Sequence, residues 1–353
     1  MRVYRGRGIG DVYYEIIRDL MKHGRRVTVR GHDCMEFPDR VVLEYAEPGY
    51  CWMCIPGRKW NPFLALAEIP WILSGNGNVE WISYFSSKMR DFADGDENFH
   101  GAYGLRLRKW PVPQDKVTTD QIDWVVRKLK ADPFSRQAVM MLWNPDMDNF
   151  VTSKDYPCNN WVAYELRDGV LNQSVVIRSN DLVWGTPINA VQFTHIHAYV
   201  AGLLGAKMGT LTYFIQNLHV YIDQYKSTLA NLVEQAYDEE HPIEAEKAEY
   251  FQIFNDKELN EFINYVNTFR PGLTQEPPMV GACSNKYLQA IVEALRLFCQ
   301  LKTPKITADA TVEETASAME TWLVKPFDWL AVDFYRDSKN ELARKAALAV
   351  KYT

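Results

Sequence analysis

Cys158 sits in Asp155-Tyr156-Pro157-Cys158-Asn159-Asn160-Trp161, and twenty residues later the chain reads Arg178-Ser179-Asn180-Asp181-Leu182-Val183-Trp184-Gly185-Thr186-Pro187-Ile188-Asn189. His219-Val220-Tyr221 follows a further thirty residues on. A thiol, a guanidinium beside a hydroxyl, an amide and a His/Tyr pair suit covalent chemistry on a phosphorylated heterocycle. The thiolate is the nucleophilic form of cysteine, and nearby arginines favour it by attraction. Taken alone, a cysteine more often packs a core; the segment downstream tips Cys158 toward catalysis.

Arg178 next to Ser179 offers a fork and a hydroxyl to a phosphate, and Arg136 in Asp132-Pro-Phe-Ser-Arg136 is a second candidate. A surface ion pair is the plain alternative for either. Asn189 heads an apolar stretch, where capping is the default. Its amide can also donate to a carbonyl and accept from an N–H, which fits the O4 and N3–H edge of uracil. Cytosine, with N4–H2 and a bare N3, would suit a carboxylate better. Glu68 lies inside the apolar run Leu64 to Leu73. Burial there would raise it into a useful acid/base range; pointing to solvent is the alternative. His219 and Tyr221 alternate with Leu218 and Val220, so they can share a strand face toward a sugar hydroxyl or simply pack.

The elements that must position these groups read as α+β with a mixed or mainly antiparallel sheet. Apolar spacing predicts helices over 9–23, 61–73, 79–89, 119–130, 189–204 and 220–236. Strands are expected over 40–45, 138–143, 161–166, 171–177 and 210–218, with Arg167-Asp168-Gly169 turning a hairpin. Residues 91–104 read as an acidic, glycine-containing loop. Beyond residue 236 the chain changes character. A charged helix over 239–249, a proline-rich connector over 271–278 and helices over 286–301, 312–323 and 340–350 form a mainly helical extension. We therefore expect a catalytic domain over 1–235 and an extension over 236–353, packed on or beside the core.

Composition sets bounds. Of 353 residues, 47% are hydrophobic and 24% charged, and net charge is -6, which disfavours a nonspecific grip on nucleic acid. No apolar run reaches membrane-spanning length, and Met1-Arg-Val-Tyr-Arg5 lacks the apolar core of a secretory signal, so a cytoplasmic protein without a membrane partner is expected. Cys51-Trp-Met-Cys54, with Cys34 and His32 upstream, has metal-ligand spacing; independent buried thiols are the preferred reading, with no metal.

These segments resemble the thymidylate synthase and pyrimidine nucleotide 5-hydroxymethylase superfamily over roughly residues 5–225. The resemblance is carried by Pro157-Cys158, by Arg178-Ser179-x-Asp181-x-x-x-Gly185-x-Pro187-x-Asn189 and by His219-x-Tyr221. Glu68-Ile-Pro-Trp-Ile-Leu73-x-Gly75, Tyr103-Gly104 and Asp132-Pro-x-Ser-Arg136 agree in order and spacing. It implies a three-layer α/β fold that dimerises through its sheets. It also implies addition of Cys158 to C6 of a pyrimidine nucleoside monophosphate and transfer of a one-carbon unit to C5 from 5,10-methylenetetrahydrofolate. Glu68 would manage protons and Tyr103 would assist proton removal from C5. Asn189 would read the base. Arg178, Ser179, Arg26 and, across a dimer interface, Arg136 would hold the phosphate. His219 and Tyr221 would hold the sugar 3′-hydroxyl, and Asp181 and Gly185 the folate.

Departures from the synthase pattern point to the product. Asn159 stands where the synthases have His after the nucleophile, Gln137 where they have a second Arg, and Met89-Arg-Asp-Phe92 where they have a tryptophan-rich segment. Their short closing tail is not recognisable here. These favour hydration of an exocyclic methylene, hence 5-hydroxymethylation of dUMP, over methylation. Thymidylate synthesis by dUMP methylation, dCMP or CMP hydroxymethylation and a non-catalytic nucleotide-binding role are the alternatives. The resemblance further implies a bacteriophage or specialised biosynthetic setting, and host cytoplasm if phage-encoded.

Overall fold

The computed structural model describes residues 1–55, 58, 60–111, 118–238, 251–268, 283–303, 310–321, 323 and 325–350. The helix expected over 239–249 and the connector over 271–278 lie outside the described residues. The strands are β1 (Arg2–Gly6), β2 (Arg25–Val29), β3 (His32–Glu36), β4 (Val41–Tyr45), β5 (Trp110–Pro111), β6 (Thr118–Thr119), β7 (Val139–Met141), β8 (Asn159–Arg167), β9 (Val170–Ile177), β10 (Asn180–Asp181), β11 (Lys207–Ile215) and β12 (Leu218–Tyr221). Among the described residues the α-helices begin with α1 (Ile9–His23), α2 (Pro62–Leu73), α3 (Val79–Ser83), α4 (Tyr103–Arg108), α5 (Gln121–Ala131), α6 (Pro145–Asp148), α7 (Gly185–Leu204), α8 (Lys226–Ala236), α9 (Asp256–Thr268) and α10 (Lys286–Lys302).

Six strands form a mixed sheet in the order β1-β4-β11-β9-β8-β7, parallel at β1/β4 and β11/β9 and antiparallel elsewhere. Its inner face alternates as a half-buried strand requires: Val162 and Tyr164, Leu171, Val175 and Ile177, and Leu211, Tyr213 and Ile215 all turn into one core. The outer face carries an apolar row in direct register across all six strands: Val3, Val42, Phe214, Val176, Trp161 and Met141. Val3, Met141 and Phe214 of that row are 37%, 39% and 44% exposed, so among the described residues this face is only partly covered.

A second sheet, β10-β12-β3-β2, forms one wall of the site. Its β2–β3 hairpin was not legible as strands, because β2 (Arg-Arg-Val-Thr-Val) is mostly solvent-facing and lacks apolar alternation. The helix expected from residue 220 instead begins at Lys226, with His219 and Tyr221 on β12. The helix expected over 79–89 ends at Ser83 and is followed by a 3-10 turn over Ser87–Phe92.

All twelve residues of α2 are buried, which explains its unbroken apolar composition. Asn61 caps it, its Oδ1 accepting from the Leu64 N–H at 3.1 Å, and Pro62 occupies the first turn. The C-terminal helices bury its outer side. Phe63 meets Phe298 of α10, and Phe334 and Tyr335 of the helix region Phe327–Tyr335, at ring distances of 4.9, 5.5 and 5.5 Å. α7 is tied to the same region, since His195 Nε2 lies 2.7 Å from the Tyr287 hydroxyl. Burial lowers His195 to about 4, so it is neutral. Helices α9 and Val312–Thr321, Phe327–Tyr335 and Glu341–Ala349 complete the mixed α/β architecture.

Candidate active site

A cleft of about 600 Å³ opens between the end of the large sheet, α2, α4, the start of α7 and the small sheet. Cys158, Arg178, Ser179, Asp181, Gly185, Asn189, His219, Tyr221, Glu68 and Tyr103 all line it. Arg26 and Arg136 do not. Arg26 pairs with Asp33 at 2.7 Å on the outside of the β2–β3 hairpin, and Arg136 is exposed just ahead of β7. Arg30 lines the cleft instead, from the tip of that hairpin. It takes a left-handed φ of 52° followed by Gly31 at 82°, the two-residue turn that matches strand twist. The Arg-Gly pair was the only available signal, and it is a weak one, since Asn-Gly or Asp-Gly is usual there.

Cys158 ends an extended segment that enters β8. A bulge between Asn159 and Trp161 against β9 breaks the ladder there and re-aims the side chains around the sulfur. Arg178 leaves β9 alongside and secures this segment. Its Nε donates to the Pro157 carbonyl at 2.9 Å and its Nη2 to the Tyr156 carbonyl at 3.1 Å, with Nη2 also 3.7 Å from the sulfur. Burial pushes the Cys158 thiol up; Arg178 and Arg30 pull it down, and Asp155 adds to the rise. The thiol therefore rests protonated, with a guanidinium against it that stabilises the thiolate once formed.

The chain then turns from β9 through β10 into α7. Asp181 makes the turn: Oδ1 accepts from the Val183 and Trp184 amides at 2.7 and 2.9 Å, and Oδ2 accepts from the Tyr225 hydroxyl at 2.9 Å. Asn189, in the second turn of α7, is the middle of a chain of three amides. Asn159 Nδ2 donates to Asn189 Oδ1 at 3.1 Å, and Asn189 Nδ2 donates to Asn180 Oδ1 at 3.1 Å. Asn180 Oδ1 lies against the first residue of α7, where a Cβ on Gly185 would be 2.9 Å away, so a larger residue there would have to displace the Asn180 amide. The positive end of the helix favours an oxygen there, which sets the direction of the chain. Among the described residues, Asn189, which lines the cleft, keeps one N–H and one lone pair unspent, a pattern complementary to uracil O4 and N3–H.

Asn159 Nδ2 also donates to the Tyr103 hydroxyl at 2.7 Å, and the phenol's own hydrogen has no acceptor among the described residues. Glu68 is buried on α2, and burial raises it to about 8, with a Gln192 contact pulling the other way. It carries a proton at neutral pH, and its Oε2 has no hydrogen-bond partner among the described residues. His219 is lowered by burial and hence neutral; Nδ1 faces Asn217 Oδ1 at 2.8 Å, which leaves Nε2 as an acceptor beside Tyr221. Met89 and Phe92 also line the cleft.

A second cavity of about 520 Å³ shares Trp184 and Ile188 with the cleft. Its walls are aromatic, including Trp60, Phe85 and Phe298, and three cations reach it: Arg58, Lys88 and Lys302. Arg58 Nε is buried without a hydrogen-bond partner among the described residues. An elongated aromatic molecule with an anionic end fits this lining. The described residues hold no cluster of three or more His, Cys, Asp or Glu suited to a metal, and no helix among them is long and apolar enough to cross a membrane.

A fold of this kind with a cysteine under an arginine and an asparagine on the facing helix defines a class. Residues 11–268 match the thymidylate synthase family, and the chain belongs to it. It is similar to the deoxyuridylate hydroxymethyltransferase of Bacillus phage SP01, with 29% identity over 348 residues, 92% of this chain and 90% of that protein. It is also similar to the deoxyuridylate hydroxymethyltransferase of Pseudomonas phage M6, with 33% identity over 223 residues, 63% of this chain and 62% of that protein. A Methanosarcina barkeri protein with a thymidylate synthase designation is 28% identical over 221 residues, 62% of this chain and 89% of its own.

Proposed function

We propose that the protein is a deoxyuridylate hydroxymethylase, a one-carbon transferase acting on dUMP with 5,10-methylenetetrahydrofolate. The observation that carries this reading is the pairing, in one cleft, of Cys158 held under Arg178 with Asn189 locked to present a uracil-reading edge. The phage relatives' names agree with it.

Cys158 adds to C6 of the uracil ring and makes C5 nucleophilic. Asn189 holds O4 and N3–H. Arg178, Ser179 and Arg30 hold the monophosphate, joined by the partner subunit's Arg136. The apolar row across the outer sheet face supports a homodimer formed through that face. His219 and Tyr221 take the sugar 3′-hydroxyl. Glu68, protonated at rest, donates toward the pyrimidine, and Tyr103 assists removal of the C5 proton. Bound methylenetetrahydrofolate supplies a carbon at the formaldehyde oxidation level. Asp181 and Gly185, which line the cleft, contact the folate, and the aromatic cavity with Arg58, Lys88 and Lys302 receives the aryl-glutamyl portion. Met89 and the half-exposed Phe92, where synthases have tryptophan, leave the new one-carbon group open to water. The catalytic unit spans residues 1–235, with 236–353 as a helical extension, and the enzyme works in the cytoplasm of the host cell.

The test is an assay of the full chain with dUMP, dCMP, UMP or CMP and methylenetetrahydrofolate, read by product mass and dihydrofolate absorbance. 5-Hydroxymethyl-dUMP without dihydrofolate is expected. Methyl product with equimolar dihydrofolate would make it a synthase, and nucleotide binding without turnover would make it a binding protein.

A further inference from the structure

Four carboxyl groups line the cleft among the described residues: Glu36, Glu68, Asp155 and Asp181. Hydration of the one-carbon group needs a base for the attacking water, and three of the four are unsuited. Glu68 is protonated. Asp181 has both oxygens engaged by two main-chain amides and Tyr225. Glu36 spends Oε1 on Arg25 and Oε2 on Asn217. Asp155 differs. Its Oδ2 accepts from the Gly101 amide at 2.8 Å, which fixes the carboxylate, while Oδ1 has no hydrogen-bond partner among the described residues. It stands three residues before the nucleophile on the segment that Arg178 clamps, so its Cα lies within roughly 10 Å of that of Cys158. Both residues line the cleft.

We propose that Asp155 is the general base for the water that adds to the one-carbon group. This rests on the hydroxymethylase reading above. The water oxygen bonds to the exocyclic methylene carbon on C5, and its proton passes to Asp155 Oδ1. The methylene π electrons move onto the C4–O4 carbonyl as an enolate. The enolate then collapses, forming the C5–C6 double bond and expelling the Cys158 thiolate. No oxidant or reductant is consumed. Burial raises Asp155, which strengthens it as a base.

The test compares wild type with Asp155→Asn, which keeps an acceptor for Gly101, using dUMP tritiated at C5. Tritium release reports the steps up to loss of the C5 proton, and 5-hydroxymethyl product reports hydration. Wild type should give equal amounts of both. In a single turnover with enzyme in excess, the variant should release tritium at a rate within about threefold of wild type while product forms about 100-fold more slowly, the scale of general-base catalysis. Added 2-mercaptoethanol should trap the stalled methylene as a thioether. In Asp155→Ala, added formate should restore hydroxymethyl product. Product within threefold of wild type in Asp155→Asn, or an equal fall in both readouts with no rescue by formate, would overturn the proposal. Methyl product and dihydrofolate from wild type would overturn it together with the reading it rests on.

Discussion

The Arg178 guanidinium lies 3.7 Å from the Cys158 sulfur while two of its other hydrogen bonds hold the carbonyls of Tyr156 and Pro157. One side chain thus positions the segment carrying Cys158, the proposed nucleophile, and favours its thiolate. Arg178→Ala should lower kcat/KM for dUMP by about 100-fold or more, with Arg178→Lys only partly restoring it, because an ammonium cannot keep the forked geometry. Alkylation of Cys158 by iodoacetamide should slow in both variants at fixed pH. An unchanged alkylation rate would show that the guanidinium does not govern the sulfur.

Glu68 makes a prediction about stability. Its folded value is raised to about 8 from an ordinary 4.5 by burial. The neutral form is therefore favoured by folding, and the stability it contributes is present below about 4.5 and lost as pH rises through about 8. Glu68→Gln should melt close to wild type at pH 5 and above wild type at pH 8.5. Its turnover should fall about 100-fold, since the amide cannot donate as an acid. Equal melting differences at both pH values would contradict the buried carboxyl.

The amide chain predicts base selectivity. Reading cytosine would require Asn189 to turn over, opposed by Asn159 on one side and by Asn180 on the other. Asn189→Asp should weaken dUMP binding at least tenfold and bring dCMP to comparable affinity, measured by calorimetry; a mispaired buried polar edge costs about 1–3 kcal/mol. Asn159→Ala should narrow the dUMP/dCMP ratio by a smaller factor. An unaltered ratio in both variants would remove the chain from base recognition.

The outer sheet face predicts the oligomer. Phe214→Asp with Met141→Lys places charges in the apolar row that crosses all six strands. Sedimentation should show a dimer for wild type and a monomer for the double variant, whose activity should be lost because Arg136 would no longer reach a neighbouring site. A monomeric wild type would refute the arrangement.

Much of the site was legible because local chemistry fixes it. The run from Arg178 to Asn189 is a strand end, a turn and a helix start in sequence order, so its residues converge wherever the fold places them. Glu68 was readable because a carboxylate inside an all-apolar helix is anomalous. Arg30 was not, since its role depends on a hairpin whose strands lack alternation and on a positive φ that arginine seldom adopts. Asn180 and Asp155 escaped for a different reason: the roles proposed for them depend on which acceptors remain unspent, and that is decided only when distant elements meet. The C-terminal helices were legible as helices. Their packing on α2 and α7, through Phe298, Tyr335 and Tyr287, was not, because periodicity marks an apolar stripe without naming what covers it.

The most direct test of the whole account is mass spectrometry of the full chain incubated with 5-fluoro-dUMP and methylenetetrahydrofolate, followed by proteolysis. Fluorine cannot leave C5 as a proton does, so the attack by the nucleophile should be frozen as a covalent adduct. The account predicts one nucleotide and one folate on the peptide containing Cys158, and none in Cys158→Ser. An adduct that survives in Cys158→Ser, or no adduct on Cys158 in a wild type that turns over dUMP, would contradict it.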